Sequence, residues 1–144
     1  MRQLKRTVKI GNITIGGTNP IAVQTMLNVP VKDIAGNVEQ AKRVAKAGCQ
    51  IVRVTVPTPA DAAVVSAIKE AVDIPVSVKL SYEASNFNGF TSSLEEAGVA
   101  GVTAIDALKG LMGVDLEHHR ALMPTYGGYS GQYIRPIALA TIAT

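Results

Sequence analysis

Charged and polar side chains recur where the apolar segments of this sequence end. Arg53 and Thr55 lie near the end of QIVRVTV, and Lys79 and Ser81 close IPVSVKLS. Because alternate residues of a strand point to one side, each pair shares a face. Polar residues also follow the first and fourth apolar segments: Asn28, Asp106 and Lys109. Cations that converge at one edge suit a phosphate or another anion, so an anion site is predicted there, with solvated strand ends as the alternative.

The stretch TYGGYSGQYIRPIALA has a cluster of glycines just before the last predicted helix, which covers about residues 136–143. Backbone N–H groups in such a loop can approach an anion at a helix N-terminus, and a plain tight turn is the alternative. The order strand, loop, helix favours the anion site. The residues assigned to it are Gly127, Gly128, Ser130 and Gly131. No catalytic residue is assigned, and adjacent His118 and His119 project in different directions, so no metal site is predicted.

Strands and helices alternate along the chain, which implies parallel pairing with right-handed crossovers. The fold class predicted is α/β, a TIM-barrel-like (β/α)4 half-barrel with an N-terminal β-hairpin, because a full barrel typically needs about 250 residues. Ligands of such folds bind at the carboxyl ends of the strands. One domain is predicted over 1–144, with the hairpin at 1–18, two βα units at 19–73 and two more at 74–144.

The composition indicates a folded chain without extreme charge. Hydrophobic residues make up 47% and charged residues 17% of the 144 residues, and the net charge is only +3. No nucleic-acid motif accompanies the basic start, and no apolar run reaches the roughly 20 residues of a membrane helix. A single cysteine cannot hold an iron–sulfur cluster within one chain. No signal peptide is apparent, so a cytoplasmic protein is predicted that binds neither nucleic acid nor membrane.

The first half resembles 4-hydroxy-3-methylbut-2-enyl diphosphate synthases of the isoprenoid pathway. VKIGNITIGGTNPIAVQTMLNVPVKD followed by AGCQIVRVTVP carries the resemblance, which covers about residues 7–76. It implies the start of a TIM barrel that binds a cyclic diphosphate, with a [4Fe–4S] cluster in a separate domain. Arg53 matches a family arginine that contacts the diphosphate. The family follows its third strand with an Asp-x-His pair, where this chain has Lys79 and Ser81.

The second half resembles the flavin domain of dihydropyrimidine and dihydroorotate dehydrogenases. IPVSVKLS, AGVAGVTAIDALKGLMGVD and TYGGYSGQYIRPIALATIA carry this resemblance over about residues 74–143. It implies FMN as cofactor, contacted by Lys79, with the glycine–serine loop lining the flavin site. The family has Asn-Thr at the end of the next strand, where this chain has Asp106 and Ala107.

The two resemblances together predict a chimeric, designed or truncated protein that lacks full catalysis. The main prediction is an oxidoreductase-type scaffold that binds a small anionic ligand, either a flavin or a phosphate ester. The alternatives are a diphosphate-binding protein of the isoprenoid-synthase type and a non-catalytic structural scaffold. Because a half-barrel has two open sheet edges, a homodimer that closes an eight-stranded barrel is predicted, with an open flavodoxin-like monomer as the alternative.

Overall fold

The computed structural model describes residues 6–80, 82 and 87–143. Its first element is a β-hairpin. Its strands β1 (Thr7–Ile10) and β2 (Ile13–Gly16) pair antiparallel, as the alternation around Gly11-Asn12 predicts. Gly11 has a φ of 59°, and a Cβ at this position would lie 2.9 Å from Cγ of Pro75. A glycine therefore suits both the turn and the close packing of the hairpin tip against the residue that precedes the third strand of the sheet.

A parallel sheet of four strands forms the centre of the fold. In spatial order these are β3 (Gln24–Met26), β4 (Ile51–Thr55), β5 (Val76–Lys79) and β6 (Gly101–Thr103). This order equals the order in sequence, as expected for successive βα units. The sheet confirms the α/β class, and each of its outer strands, β3 and β6, has only 3 residues.

Three helices connect the strands of the sheet. They are α1 (Ile34–Lys46), α2 (Ala63–Ala71), which follows a 3₁₀ turn at Pro59–Ala62, and α3 (Phe87–Glu96). Asp33 is the N-cap of α1, and its Oδ1 accepts from the Gly36 amide at 2.9 Å. Before the 3₁₀ turn, the Thr58 hydroxyl donates to the Asp61 carboxylate at 2.6 Å and caps no backbone amide.

The hydrophobic core lies between the sheet and the helices. Alternate valines of β4 and β5 face the helices and are almost fully buried: Val52, Val54, Val76 and Val78. They pack with side chains of α2 and α3, including Val65, Ile68, Phe90 and Leu94. Burial of such a side chain contributes roughly 1.5–3 kcal/mol, so this layer holds the strands in register. The opposite face of the sheet carries Arg53, Thr55, Ser77 and Lys79, together with the buried Ile51.

The chain beyond α3 differs most from the prediction. After β6, β7 (Leu108–Gly110) pairs antiparallel with β10 (Gly127–Tyr129), and β8 (Val114–Asp115) pairs with β9 (Arg120–Ala121). The final helix α4 (Arg135–Ala143) forms where it was predicted, but it has no buried residue. Among the described residues, none after Leu94 is buried. No helix among the described residues has the length and apolar character needed to cross a bilayer.

Candidate functional site

Two cationic side chains lie on the same face of the sheet near its carboxyl end. In the strand register Arg53 lies beside Ser77, and Thr55 lies beside Lys79. Since Arg53 and Thr55 are two residues apart, they and Lys79 project from the face opposite the buried valines. Asp106 follows β6 and reaches the same place. We call Arg53, Lys79 and Asp106 the carboxyl-end site.

Lys79 and Asp106 form an ion pair in this site. Lys79 Nζ is 2.8 Å from Asp106 Oδ2, and the two side chains are 21% and 46% exposed. The hydrogen bond from Lys79 lowers the pKa of the Asp106 carboxyl below its ordinary value; the Ala107 amide and the charges of Lys79 and Arg53 add to this effect, while partial burial opposes it. Asp106 is therefore a carboxylate at neutral pH.

Arg53 is the side chain of the site with an unused donor. Its Nε is buried and has no hydrogen-bond partner among the described residues. Its backbone is fixed, because the Arg53 carbonyl accepts from the Leu27 amide at 2.8 Å. A buried donor without a partner costs roughly 1–3 kcal/mol. An anion that accepted a hydrogen bond from Nε would remove that cost, so the geometry suits an anionic ligand.

A cleft of about 560 Å³ opens beside the carboxyl-end site. We call it the tyrosine cleft, and its lining residues are Tyr82, Asp106, Ala107, Leu108, Lys109, Tyr126, Gly127 and Gly128. The structure thus brings four predicted site residues together here: Asp106, Lys109, Gly127 and Gly128. Tyr82 and Tyr126 were missed by the sequence analysis. The position of Tyr126 beside the glycines in TYGGYSG was the available signal for that residue.

The glycines of the cleft lie in a strand, whereas the sequence predicts a loop before a helix. Gly127 and Gly128 lie in β10 and pair with Gly110 and Lys109, so their backbone is part of a strand ladder. A Cβ at Gly128 would lie 2.8 Å from Cβ of Ala107. Close packing within the protein therefore accounts for this glycine.

The remaining predicted site residues lie elsewhere or have other partners. Ser130 and Gly131 do not line the tyrosine cleft, and Gly131 precedes a 3₁₀ turn with a φ of 92°. Asn28 is hydrogen-bonded to Gln40 of α1. The backbone N–H of Asn28 donates to Gln40 Oε1, and Asn28 Oδ1 accepts from Gln40 Nε2 at 2.7 Å. Ser81 lies outside the described residues.

The described residues do not fit an iron–sulfur cluster. Cys49, the single cysteine of the sequence, is buried before the amino end of β4, and its Sγ lies 3.1 Å from the carbonyl oxygen of Ile51. Clusters of this kind are held by several cysteines. Within residues 6–80, 82 and 87–143, no group of three histidine, cysteine, aspartate or glutamate side chains could hold a metal ion.

Comparison with known proteins identifies the first two thirds of the chain. Residues 5–103 match the family described as the GcpE TIM-barrel domain. The 4-hydroxy-3-methylbut-2-en-1-yl diphosphate synthase (flavodoxin) of Caldanaerobacter subterraneus is 43% identical over 83 residues, 58% of this chain and 23% of that protein. The ferredoxin-type synthase of Trichormus variabilis is 40% identical over 101 residues, 67% of this chain and 24% of that protein. The chain thus spans about a quarter of these relatives.

Similarity to solved structures is slight. The carboxyl transferase domain from Rhizobium etli pyruvate carboxylase covers 58% of this chain, and the chain covers 16% of it, with a TM-score of 0.46 and 20% identity. This likeness is too low to bear on function.

These matches correct the cofactor prediction. FMN is wrong, because the relatives carry the names of diphosphate synthases and the family match includes Lys79, the residue predicted to contact the flavin. The family match also continues beyond residues 74–80, where the sequence predicts a junction between two families. The match gives no support to the dehydrogenase resemblance of the second half. What the match does show is a common family for residues 5–103, and the chain belongs to the GcpE TIM-barrel domain family.

Proposed function

We propose that this chain is part of a protein of the 4-hydroxy-3-methylbut-2-en-1-yl diphosphate synthase type and binds the diphosphate group of a small ligand. The family match and the names of the relatives support this substrate class. The proposal places the ligand at the carboxyl-end site, since parallel α/β folds bind ligands at that end of the sheet.

The observation that carries the proposal is the buried Nε of Arg53, which has no partner in the described part of the chain. A guanidinium group presents several donors in one plane and can bind two oxygens of a phosphate at once. Lys79 adds a second cation on the same face, and its point charge suits a phosphate oxygen without fixing its direction. The two side chains would bind and orient the diphosphate, and no redox step is assigned to them.

The architecture proposed for this part of the protein is half of a TIM barrel. Helices cover one face of the four-stranded sheet, and a cleft of about 500 Å³ lies between the other face and the hairpin. In a barrel the helices lie outside and the second face lines the interior. Arg53 and Lys79 would then project into the barrel at its ligand-binding end.

Calorimetric titration of the full chain with inorganic pyrophosphate tests the proposal. We expect measurable binding that weakens at least tenfold in Arg53→Ala, because a charge-assisted hydrogen-bond donor is lost. Arg43→Ala is the matched control, since Arg43 is exposed near the carboxyl end of α1 and so at the opposite end of the sheet. Equal weakening in both variants would indicate non-specific attraction. No binding by the wild-type chain would favour the non-catalytic scaffold.

A further inference from the structure

The Asp106 carboxylate already occupies the position that an anion would take in the carboxyl-end site. It accepts a hydrogen bond from Lys79 Nζ at 2.8 Å and another from the amide of Ala107, and Arg53 attracts it electrostatically. Cations and an amide donor are the groups that bind a phosphate oxygen. The protein therefore holds an anion of its own on Lys79, within electrostatic reach of Arg53.

The two partners of this ion pair differ in their freedom to move. The Asp106 side chain is 46% exposed, whereas Lys79 is 21% exposed and extends from a central strand of the sheet. The Asp106 backbone is anchored, since its amide donates to the Leu80 carbonyl at 3.2 Å. A rotation of the Asp106 side chain toward water would thus release Lys79 without moving the sheet.

We propose that Asp106 is an internal counter-ion that competes with the ligand phosphate for Lys79 and Arg53 and thereby sets the ligand charge that the site accepts. This inference rests on the proposed function for the location of the ligand, but it requires only that the ligand be anionic. With Asp106 in place, part of the cationic charge is neutralised. A ligand must either displace the carboxylate or tolerate its repulsion.

Removal of the Asp106 charge should strengthen anion binding in proportion to the charge of the ligand. For Asp106→Asn we expect the Kd of pyrophosphate to fall about fivefold, the size expected when a partly exposed ion pair no longer competes. The Kd of inorganic phosphate should fall less, because phosphate carries less charge and gains less Coulomb energy. The ratio of the two Kd values therefore reports the selectivity that we assign to Asp106.

Asp115→Asn is the matched control for this experiment. Asp115 also forms an ion pair, with Arg120 at 3.3 Å, and a hydrogen bond with His118 at 2.9 Å, but it lies in β8 and does not line the tyrosine cleft. The substitution changes the net charge of the chain by the same amount. Calorimetry at one fixed ionic strength, with thermal melts to verify folding, compares the wild-type chain with both variants.

The outcomes separate this inference from the proposed function. Tighter pyrophosphate binding in Asp106→Asn alone supports the counter-ion role, even if the wild-type chain binds too weakly to measure. Equal tightening in Asp115→Asn would reduce the effect to net charge and overturn the inference. If the wild-type chain binds, Arg53→Ala does not, and Asp106→Asn is unchanged, the proposed function stands and the inference fails. If no variant binds pyrophosphate, both fail.

Discussion

Asn37 shows how a single buried amide fixes the approach to α1. Its side chain is fully buried, and its Nδ2 donates to the carbonyl oxygens of Pro30 at 2.9 Å and Asp33 at 2.8 Å. Its Oδ1 is buried and has no partner among the described residues. The two hydrogen bonds hold the loop between β3 and α1 against the helix, and they depend on a donor at this position.

Asn37→Asp should destabilise the protein strongly at neutral pH. The carboxylate would be buried and would face two carbonyl oxygens without a donor, so we expect a loss of about 3 kcal/mol in the free energy of unfolding. Burial raises the pKa of a carboxyl, so the loss should shrink toward pH 4, where the group is protonated when folded. Urea denaturation at both pH values measures this. Asn12→Asp, at the exposed hairpin tip, should change stability by less than about 0.5 kcal/mol, and a similar loss there would contradict the explanation.

At the scale of elements, an ion pair joins the loops that follow β3 and β4. Lys32 Nζ lies 2.6 Å from Asp61 Oδ1, and the Asp61 side chain is only 4% exposed. Hydrogen bonds from Lys32 and Thr58 lower the pKa of the Asp61 carboxyl, and burial opposes them. The contact links the loop before α1 to the 3₁₀ turn before α2, at the same end of the sheet as Arg53.

This ion pair should make part of the stability depend on pH. Because the folded pKa of Asp61 is lowered, its contribution is present above the ordinary value of 3.8 and is lost as the pH falls through the folded pKa. We expect Asp61→Asn to lose about 1 kcal/mol at pH 7 and to approach the wild-type stability below pH 3.8. Urea denaturation across this pH range measures the difference. Asp73→Asn, at an exposed position, is the control, and a difference for Asp61→Asn that is independent of pH would refute the assignment.

The elements also show where sequence reasoning succeeds and where it fails. The cap at Asp33, the turn at Gly11 and the shared face of Arg53 and Thr55 follow from local rules, and the structure has all three. The β7–β10 ladder could not be predicted in this way, because Gly127 pairs with Gly110 across a long stretch of chain. A run of glycines is compatible both with an anion-binding loop and with close packing in a strand. Only the tertiary contact between Gly128 and Ala107 distinguishes the two. The ion pair between Lys79 and Asp106 and the unpartnered Nε of Arg53 likewise depend on tertiary packing, which the spacing of residues in the sequence does not reveal.

At the scale of the whole molecule, the parallel sheet of the described residues has two open edges. Strands β3 and β6 each have one neighbour in the described sheet. Apolar side chains near these two edges are exposed: Ile21 is 95%, Val23 58% and Val102 42% accessible. Exposed edges and apolar patches favour association with another strand. A two-fold axis parallel to the strands would place β6 of one copy beside β3 of the other with parallel direction, and it would do so twice.

We propose that two copies of the chain associate in this way, and the mass in solution tests it. Sedimentation equilibrium should give twice the 15.1 kDa of one chain at high concentration, with dissociation on dilution. Val102→Lys should shift the equilibrium to the monomer, since a charge at an edge strand opposes pairing. Val114→Lys, at an exposed valine of β8, should leave the mass unchanged. A mass of 15.1 kDa at every concentration would instead favour the open monomer, in which the carboxyl-end site of one chain must bind its ligand without help from a second Arg53.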